Sequence, residues 1–309
     1  MGDLPLSRLF GMVLRMGPKV GRRSSWFLAG FCRVFSAAAI FVASFAVAGR
    51  AVPIQHGTLD LIAENSWIAP GQSFTLGLHF KLDPGWHIYW KNPGDSGEPP
   101  QVTWQLPQGM TAGDIEWPAP TRMMTSTIMN YVYDDEVLLL VPMRASQSFA
   151  APQSGVKLDA SVRLLICSKE MCVPAKAQLS ISLPTKTQSP MPDKSVAALF
   201  ASARAHLPKP APAGWQFSWN EKQSSLVLRA RTGRSIASAY FFPLDDLEID
   251  YSAKQEFAPS AAGFQLTLRK SNQLTKPVSR LRGVLVLADG RAYLVDVPAG
   301  GPGGNRAGS

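Results

Sequence analysis

The sequence predicts an all-β protein of two immunoglobulin-like β-sandwich domains joined by a Pro-rich linker with a short helix. Three observations predict it. Apolar and polar residues alternate with period two in runs bounded by Pro and Gly, and no helical period of any length occurs between His56 and about Leu183. The 309 residues are enough for two cores of ordinary size. A composition of 46% hydrophobic and 17% charged residues is that of a folded globular chain, neither disordered nor multi-span membrane.

The N-terminus reads as an export signal. Arg8, Arg15, Lys19, Arg22, Arg23 and Arg33 precede the apolar run Val34 to Val47, which is short for a bilayer span and ends in Ala46-Val47-Ala48, a small-x-small cleavage pattern. Residues 1–48 are therefore expected to be a cleaved signal peptide and the mature protein periplasmic, an uncleaved N-terminal membrane anchor being the alternative. Removing them takes away six basic residues and Asp3, so the formal charge falls from +9 to +4. No Lys/Arg cluster remains that would suit nucleic acid. Cys32 leaves with the signal, and Cys167 and Cys172 then have only each other to pair with in an oxidising compartment.

The first domain is expected over residues 49–184. Phe74, Leu76, Leu78, Phe80 and Leu82 alternate with polar or small neighbours, as do Val156 to Ile166 and Ala177 to Leu183. The linker, residues 185–213, changes character, with six prolines from Pro184 to Pro212 bracketing one helix-like stretch, Lys194 to Leu207. A second β region, 214–298, opens with Trp215, Phe217 and Trp219 and closes with a hairpin turning at Asp289-Gly290. The Gly-rich end, 299–309, is expected to be disordered.

The cysteines stand in Cys167-Ser-Lys-Glu-Met-Cys172, at the end of one strand and the start of the next. Residues flanking so tight a turn face each other within the roughly 4.4–6.8 Å Cα separation of a disulfide. Parity sets Cys167 opposite in phase to Leu164 and Ile166, and Cys172 opposite to Ala177 and Leu179, so both sulfurs are predicted on the outer, accessible face. A bridge closing about six residues removes only about 2 kcal/mol of unfolded-state entropy. Two readings remain open from the cysteines alone: a short structural staple, or a pair that a partner's thiolate attacks.

A second cluster runs from Gly85 to Pro100 (GWHIYWKNPGDSGEPP), with His87 and Tyr89 on one strand face and Trp86, Ile88 and Trp90 on the other. It reads either as a core Trp strand followed by a Pro/Gly loop or as part of a site.

Taken together, the Gly85–Pro100 stretch, a strand from Tyr131 to Pro142 and the Cys167–Pro174 segment resemble the N-terminal periplasmic domain of the thiol:disulfide interchange protein DsbD. The ScsB-type branch, linked to suppression of copper sensitivity and carrying two immunoglobulin-like periplasmic domains, resembles it more closely. The resemblance implies that Cys167 and Cys172 are a redox pair, with Cys172 the attacking cysteine. It implies thioredoxin-fold disulfide isomerases or reductases as partners. Residues up to Pro298 hold no multi-span hub and no C-x-x-C thioredoxin domain, so a separate membrane electron donor is also implied. His87 and Tyr89 would lie at the active site, His87 holding or accepting a thiol proton and Tyr89 shaping the contact surface. A cap would lie in Met123 to Asn130, shielding with Met123, Met124, Ile128 and Met129, with Met129 and Tyr131 as supporting or partner-contact residues.

Such exchange needs no metal or organic cofactor. Two rivals use other residues. A Cu(I) site would draw on Cys167, Cys172, Met171, Met123, Met124, Met129 and His87, the soft ligands that ion prefers. A non-enzymatic binding sandwich would display Trp86, Trp90, Trp104 and Trp117. The second domain offers no chemical motif and is expected to be a spacer or docking unit.

Overall fold

The computed structural model describes residues 51–150 and 152–299. The expected signal, Cys32 and the Gly-rich end beyond Ala299 lie outside the described residues. Among the described residues no helix is long and apolar enough to cross a membrane.

The first half contains β1 (Val52–Ile54), β2 (Gly57–Ala63), β3 (Ser73–Leu82), β4 (His87–Gly94), β5 (Gln101–Gln105), β6 (Met110–Ala112), β7 (Thr121–Thr125), β8 (Ile128–Asp134), β9 (Glu136–Ala145), β10 (Val156–Cys167) and β11 (Cys172–Leu183). They form two sheets, ordered β1-β2-β3-β9-β6 and β11-β10-β4-β8-β7, with β5 also paired to β10. The alternation that predicted these strands is the alternation of burial. Leu76, Leu78 and Phe80 of one sheet and Val162, Leu164 and Ile166 of the other belong to one core, and each such side chain contributes about 1.5–3 kcal/mol by leaving water.

The expected single strand from Tyr131 to Pro142 is two strands in different sheets. Asp135 adopts φ 55°, a conformation that Asp tolerates better than most residues. There the chain leaves β8 in the second sheet and enters β9 in the first. Apolar residues on both sides of the break hide it from a pattern search.

Helix α1 (Ala197–His206) is shorter at its start than the expected Lys194–Leu207. The Asp193 carboxylate accepts from the Ser195 backbone N–H (2.9 Å) and hydroxyl (2.6 Å), holding this segment in a turn instead of a helix. Phe200 and Ala203 bury against Ile62, Leu138 and Leu140, on the outer face of the β1-β2-β3-β9-β6 sheet. Gly77 makes the room: a Cβ there would meet Leu138 Cδ1 at 2.5 Å and the Phe200 ring at 3.2 Å.

The second half holds β12 (Gln216–Lys222), β13 (Ser225–Arg231), β14 (Ala239–Pro243), β15 (Glu256–Ser260), β16 (Gly263–Arg269), β17 (Arg280–Leu287) and β18 (Ala292–Pro298). Four strands, β12-β13-β16-β15, make one sheet and three, β14-β17-β18, the other, a 4 + 3 division like that of an immunoglobulin constant domain. The Trp219 indole N–H bridges from one sheet to the other, donating to the Val297 carbonyl at 2.9 Å. The β17–β18 hairpin turns at Asp289-Gly290, where Gly290 takes φ 79°.

The two sandwiches share one continuous core and belong to one compact unit. Tyr131 meets Phe242 edge-on (ring centroids 4.9 Å) and Tyr251 (5.6 Å), and Trp90 meets Phe242 (6.1 Å). Asn92, 1% exposed, donates from Nδ2 to the Pro243 carbonyl at 3.0 Å. Strand β4 therefore presents Trp90 and Asn92 to the second sandwich, while Ile88 faces the core and Lys91 the solvent.

Candidate functional site

Strands β10 and β11 pair without interruption from Val156↔Leu183 to Cys167↔Cys172. The cysteines are bonded to each other, their Cα atoms 4.0 Å apart, close to the roughly 4.5 Å of the tighter kind of antiparallel pair. Ser168 fixes the turn. Its N–H donates to the Met171 carbonyl at 2.8 Å, and its hydroxyl accepts from the N–H of Glu170 (3.1 Å) and Met171 (3.3 Å). A serine just after Cys167 was the available sequence signal for this arrangement.

Parity is right about the face and wrong about the exposure. Cys167 is on the face opposite Leu164 and Ile166, yet only 1% exposed, in a small cluster of its own with Tyr89 and Val132, packed by Met123 and Leu165. Cys172 is exposed. The expectation that both sulfurs are accessible is therefore corrected to one. The cause is lateral: β4 and β8 continue the sheet beside β10 and bring their own outer-face side chains onto Cys167. The loop after β4 then folds back over that face. Gly97, at φ 99°, lies so close to Tyr89 that a Cβ would overlap its ring. Asn130 Oδ1 holds the loop, accepting from Ser96 N–H (3.3 Å) and Oγ–H (3.1 Å). This cover was missed in the sequence, where Asp95-Ser96-Gly97 reads as an ordinary turn.

His87 and Tyr89 are on the same face as Cys167. His87 stands opposite Cys167 in register on one side and opposite Asp134 on the other. It is 1% exposed, and burial pushes its pKa below the usual imidazole value while the nearby Asp134 carboxylate pulls it up. Its ring meets Tyr89 edge-on, centroids 5.3 Å apart. The Tyr89 hydroxyl lies 3.7 Å from Cys172 Sγ. Burial raises the Tyr89 pKa and a hydrogen bond with Ser96 opposes this, so the phenol is protonated at neutral pH.

The remaining expected site residues are elsewhere. Met129 and Tyr131 have the opposite parity to Val132 and are buried in the main core, Tyr131 with no exposed surface. Neither offers a surface to a partner, which leaves only the supporting part of the role expected of them. Of the expected shields, Met123 covers the Cys167 cluster, while Met124 and Ile128 are exposed at the ends of the two paired strands β7 and β8. Among the described residues no group of three or more His, Cys, Asp or Glu side chains could hold a metal ion, and the methionines of the Cu(I) rival are spread between core, cluster and surface. Of the tryptophans of the binding-sandwich rival, Trp90 is buried, and Trp86, Trp104 and Trp117 are partly buried and packed against the core.

This arrangement offers one accessible sulfur bonded to one enclosed sulfur, beside a buried imidazole and a phenol. No curated protein matches the sequence. Among solved structures, the N-terminal periplasmic domain of ScsB from Proteus mirabilis superimposes with a TM-score of 0.63 at 17% identity, covering 83% of this chain and 98% of that one, which establishes likeness of fold. The YadV chaperone aligns with a TM-score of only 0.21 at 10% identity, too low to carry an argument. The model of the family "Thiol:disulfide interchange protein DsbD, N-terminal" matches residues 59–184, the segment that contains both cysteines, His87 and Tyr89, and this segment of the chain is similar to a DsbD N-terminal domain.

Proposed function

We propose that the chain is a periplasmic thiol:disulfide exchange module that passes reducing equivalents through Cys167 and Cys172 to thioredoxin-fold partners, and is itself reduced by a membrane electron donor. The observation that carries this is the asymmetry of the pair, with Cys172 exposed and Cys167 enclosed. A disulfide is opened by in-line attack on one sulfur with the other as leaving group, so a pair with one accessible atom has a defined direction of attack.

A donor thiolate bonds to Cys172 Sγ, and the electron pair of the broken bond stays on Cys167. The donor's second thiolate then displaces Cys172, leaving the donor oxidised and this domain a dithiol. In the second half-reaction the Cys172 thiolate attacks an acceptor disulfide, and Cys167 attacks Cys172 Sγ to release the reduced acceptor. Tyr89 borders the attacked sulfur and His87 the leaving one. No metal or organic cofactor enters either step.

The test is the equilibrium reduction potential of the pair, by thiol trapping and mass in graded glutathione buffers. A value of roughly −120 to −270 mV, the range of known thiol exchangers, is expected; a pair still oxidised below about −300 mV is a structural staple and ends the proposal.

A further inference from the structure

In the oxidised protein neither ring nitrogen of His87 has a hydrogen-bond partner among the described residues, although the side chain is almost wholly enclosed. A buried polar group without a partner costs stability and asks what it is kept for. Its neighbours supply the answer. Asp134 on β8, His87 on β4, Cys167 on β10 and Cys172 on β11 stand in register as one row across four strands. Side chains in register on adjacent strands share a face with Cβ atoms about 4.5–5.5 Å apart.

A disulfide sulfur has no proton to give and is a poor acceptor. Once the bond opens, the same atom becomes a thiolate that accepts or a thiol that donates. The missing partner of His87 therefore comes into being only on reduction. Cys167 is enclosed, and a bare thiolate in an apolar cluster is strongly disfavoured, so the leaving sulfur needs a proton that water cannot bring to it directly. Asp134 is exposed and lines a cavity of about 270 Å³ together with Tyr133, Glu136 and His206, which gives solvent access at the far end of the row.

We propose that His87, in register between Asp134 and Cys167, carries the proton that Cys167 takes up when the disulfide opens and gives back when it closes. This rests on the exchange reading above and adds a proton route to it. As the donor thiolate bonds to Cys172 Sγ, the Sγ–Sγ bond breaks with its electron pair on Cys167. His87 gives one ring proton to that sulfur and takes a proton at the other nitrogen from water beside Asp134, ending neutral as it began. Closure runs the same transfers backwards. Burial keeps the imidazole neutral at neutral pH and Asp134 offsets part of that effect, so the ring is able both to take and to give a proton. Tyr89, the other titratable group against the ring, stays protonated throughout.

The test is the rate at which dithiothreitol reduces the pair in the full chain between pH 5 and 9, corrected for the reagent's own ionisation, with 15N NMR of the His87 ring in the oxidised and reduced protein. His87→Gln is expected to slow reduction about a hundredfold near pH 7, the lower end of general acid–base effects, and to flatten the corrected pH profile. Asp134→Asn, a surface change that spares the fold, is expected to shift the profile, and the wild-type ring nitrogens to change their shifts on reduction. Ring shifts identical in both states, or wild-type pH profiles in both variants, overturn the proton route. A wild-type pair that dithiothreitol cannot reduce at any pH overturns the exchange reading instead.

Discussion

The Tyr89 hydroxyl and Cys172 Sγ are 3.7 Å apart, so the accessible sulfur carries a phenol donor of its own. In the dithiol state the same hydroxyl is placed to donate to the Cys172 thiolate, and hydrogen bonds to charged acceptors are worth about 1.5–3 kcal/mol in favourable geometry, less to sulfur. Tyr89→Phe removes the donor and keeps the ring under Gly97. Alkylation of reduced Cys172 by iodoacetamide at pH 7 is expected to slow about threefold to tenfold. An unchanged rate across the pH range would show that the contact has no bearing on the thiolate.

Burial divides the labour of the two cysteines. With Cys172 exposed and Cys167 enclosed by Tyr89, Val132 and Met123, only the former can meet a second protein. Cys167→Ser is expected to accumulate a mixed disulfide with an oxidised thioredoxin-fold protein, because nothing remains to resolve it. Cys172→Ser is expected to accumulate none and to leave Cys167 slow to alkylate until the protein unfolds. Non-reducing gels and mass analysis of both variants read this directly, and equal trapping by the two would contradict the assignment.

The contact between the sandwiches is polar at its centre. Asn92 Nδ2 donates to the Pro243 carbonyl (3.0 Å), with the Asp245 carbonyl and the Tyr251 hydroxyl each at 3.3 Å. Its Oδ1 accepts from the Gly94 N–H at 3.0 Å. Asn92→Ala leaves these buried groups unpaired and is expected to cost about 2–3 kcal/mol. The shared aromatic cluster of Trp90, Tyr131 and Phe242 predicts that thermal unfolding of the wild type is one cooperative transition. Calorimetry checks both, and two well-separated transitions would show that the sandwiches melt independently.

Period-two alternation made the strands and the all-β class legible, because each sheet is wet or differently covered on its two faces and the pattern records that difference. It also set His87 and Tyr89 on the strand face opposite Trp86, Ile88 and Trp90. It failed where a third element decides the outcome. Cys167 has outward parity but is enclosed by β4, β8 and the Gly97 loop, which come from 33 or more residues earlier in the chain. Asp135 divides what reads as one strand from Tyr131 to Pro142, because the backbone conformation it adopts turns the chain. Tyr131 was assigned to the site although one residue of parity separates it from Val132 and sends it to the core. Neither Asn92 nor Asp134 stood out, since their significance lies wholly in what the folded chain brings beside them.

Glu248 supplies a prediction about stability. It is 9% exposed, its Oε2 has no partner among the described residues, and it lines a cavity of about 470 Å³ in the second sandwich. Burial, and after it the neighbouring Asp245 carboxylate, push its pKa from the ordinary 4.5 up to about 7, with Arg282 opposing. A carboxyl whose pKa is higher in the folded state binds its proton more tightly there. The folded state is thus favoured by this group below about pH 4.5, and that contribution is lost as pH rises through about 7. A full shift of this size would correspond to roughly 3 kcal/mol, and solvent in the open cavity screens it to about 1–2 kcal/mol. Glu248→Gln keeps the shape and abolishes the titration. Urea unfolding at pH 5 and pH 8 is expected to show the variant gaining about 1–2 kcal/mol on the wild type at the higher pH relative to the lower. A difference between the two proteins that stays constant from pH 5 to 8 would mean that Glu248 is ionised throughout and that its carboxylate finds compensation in the cavity.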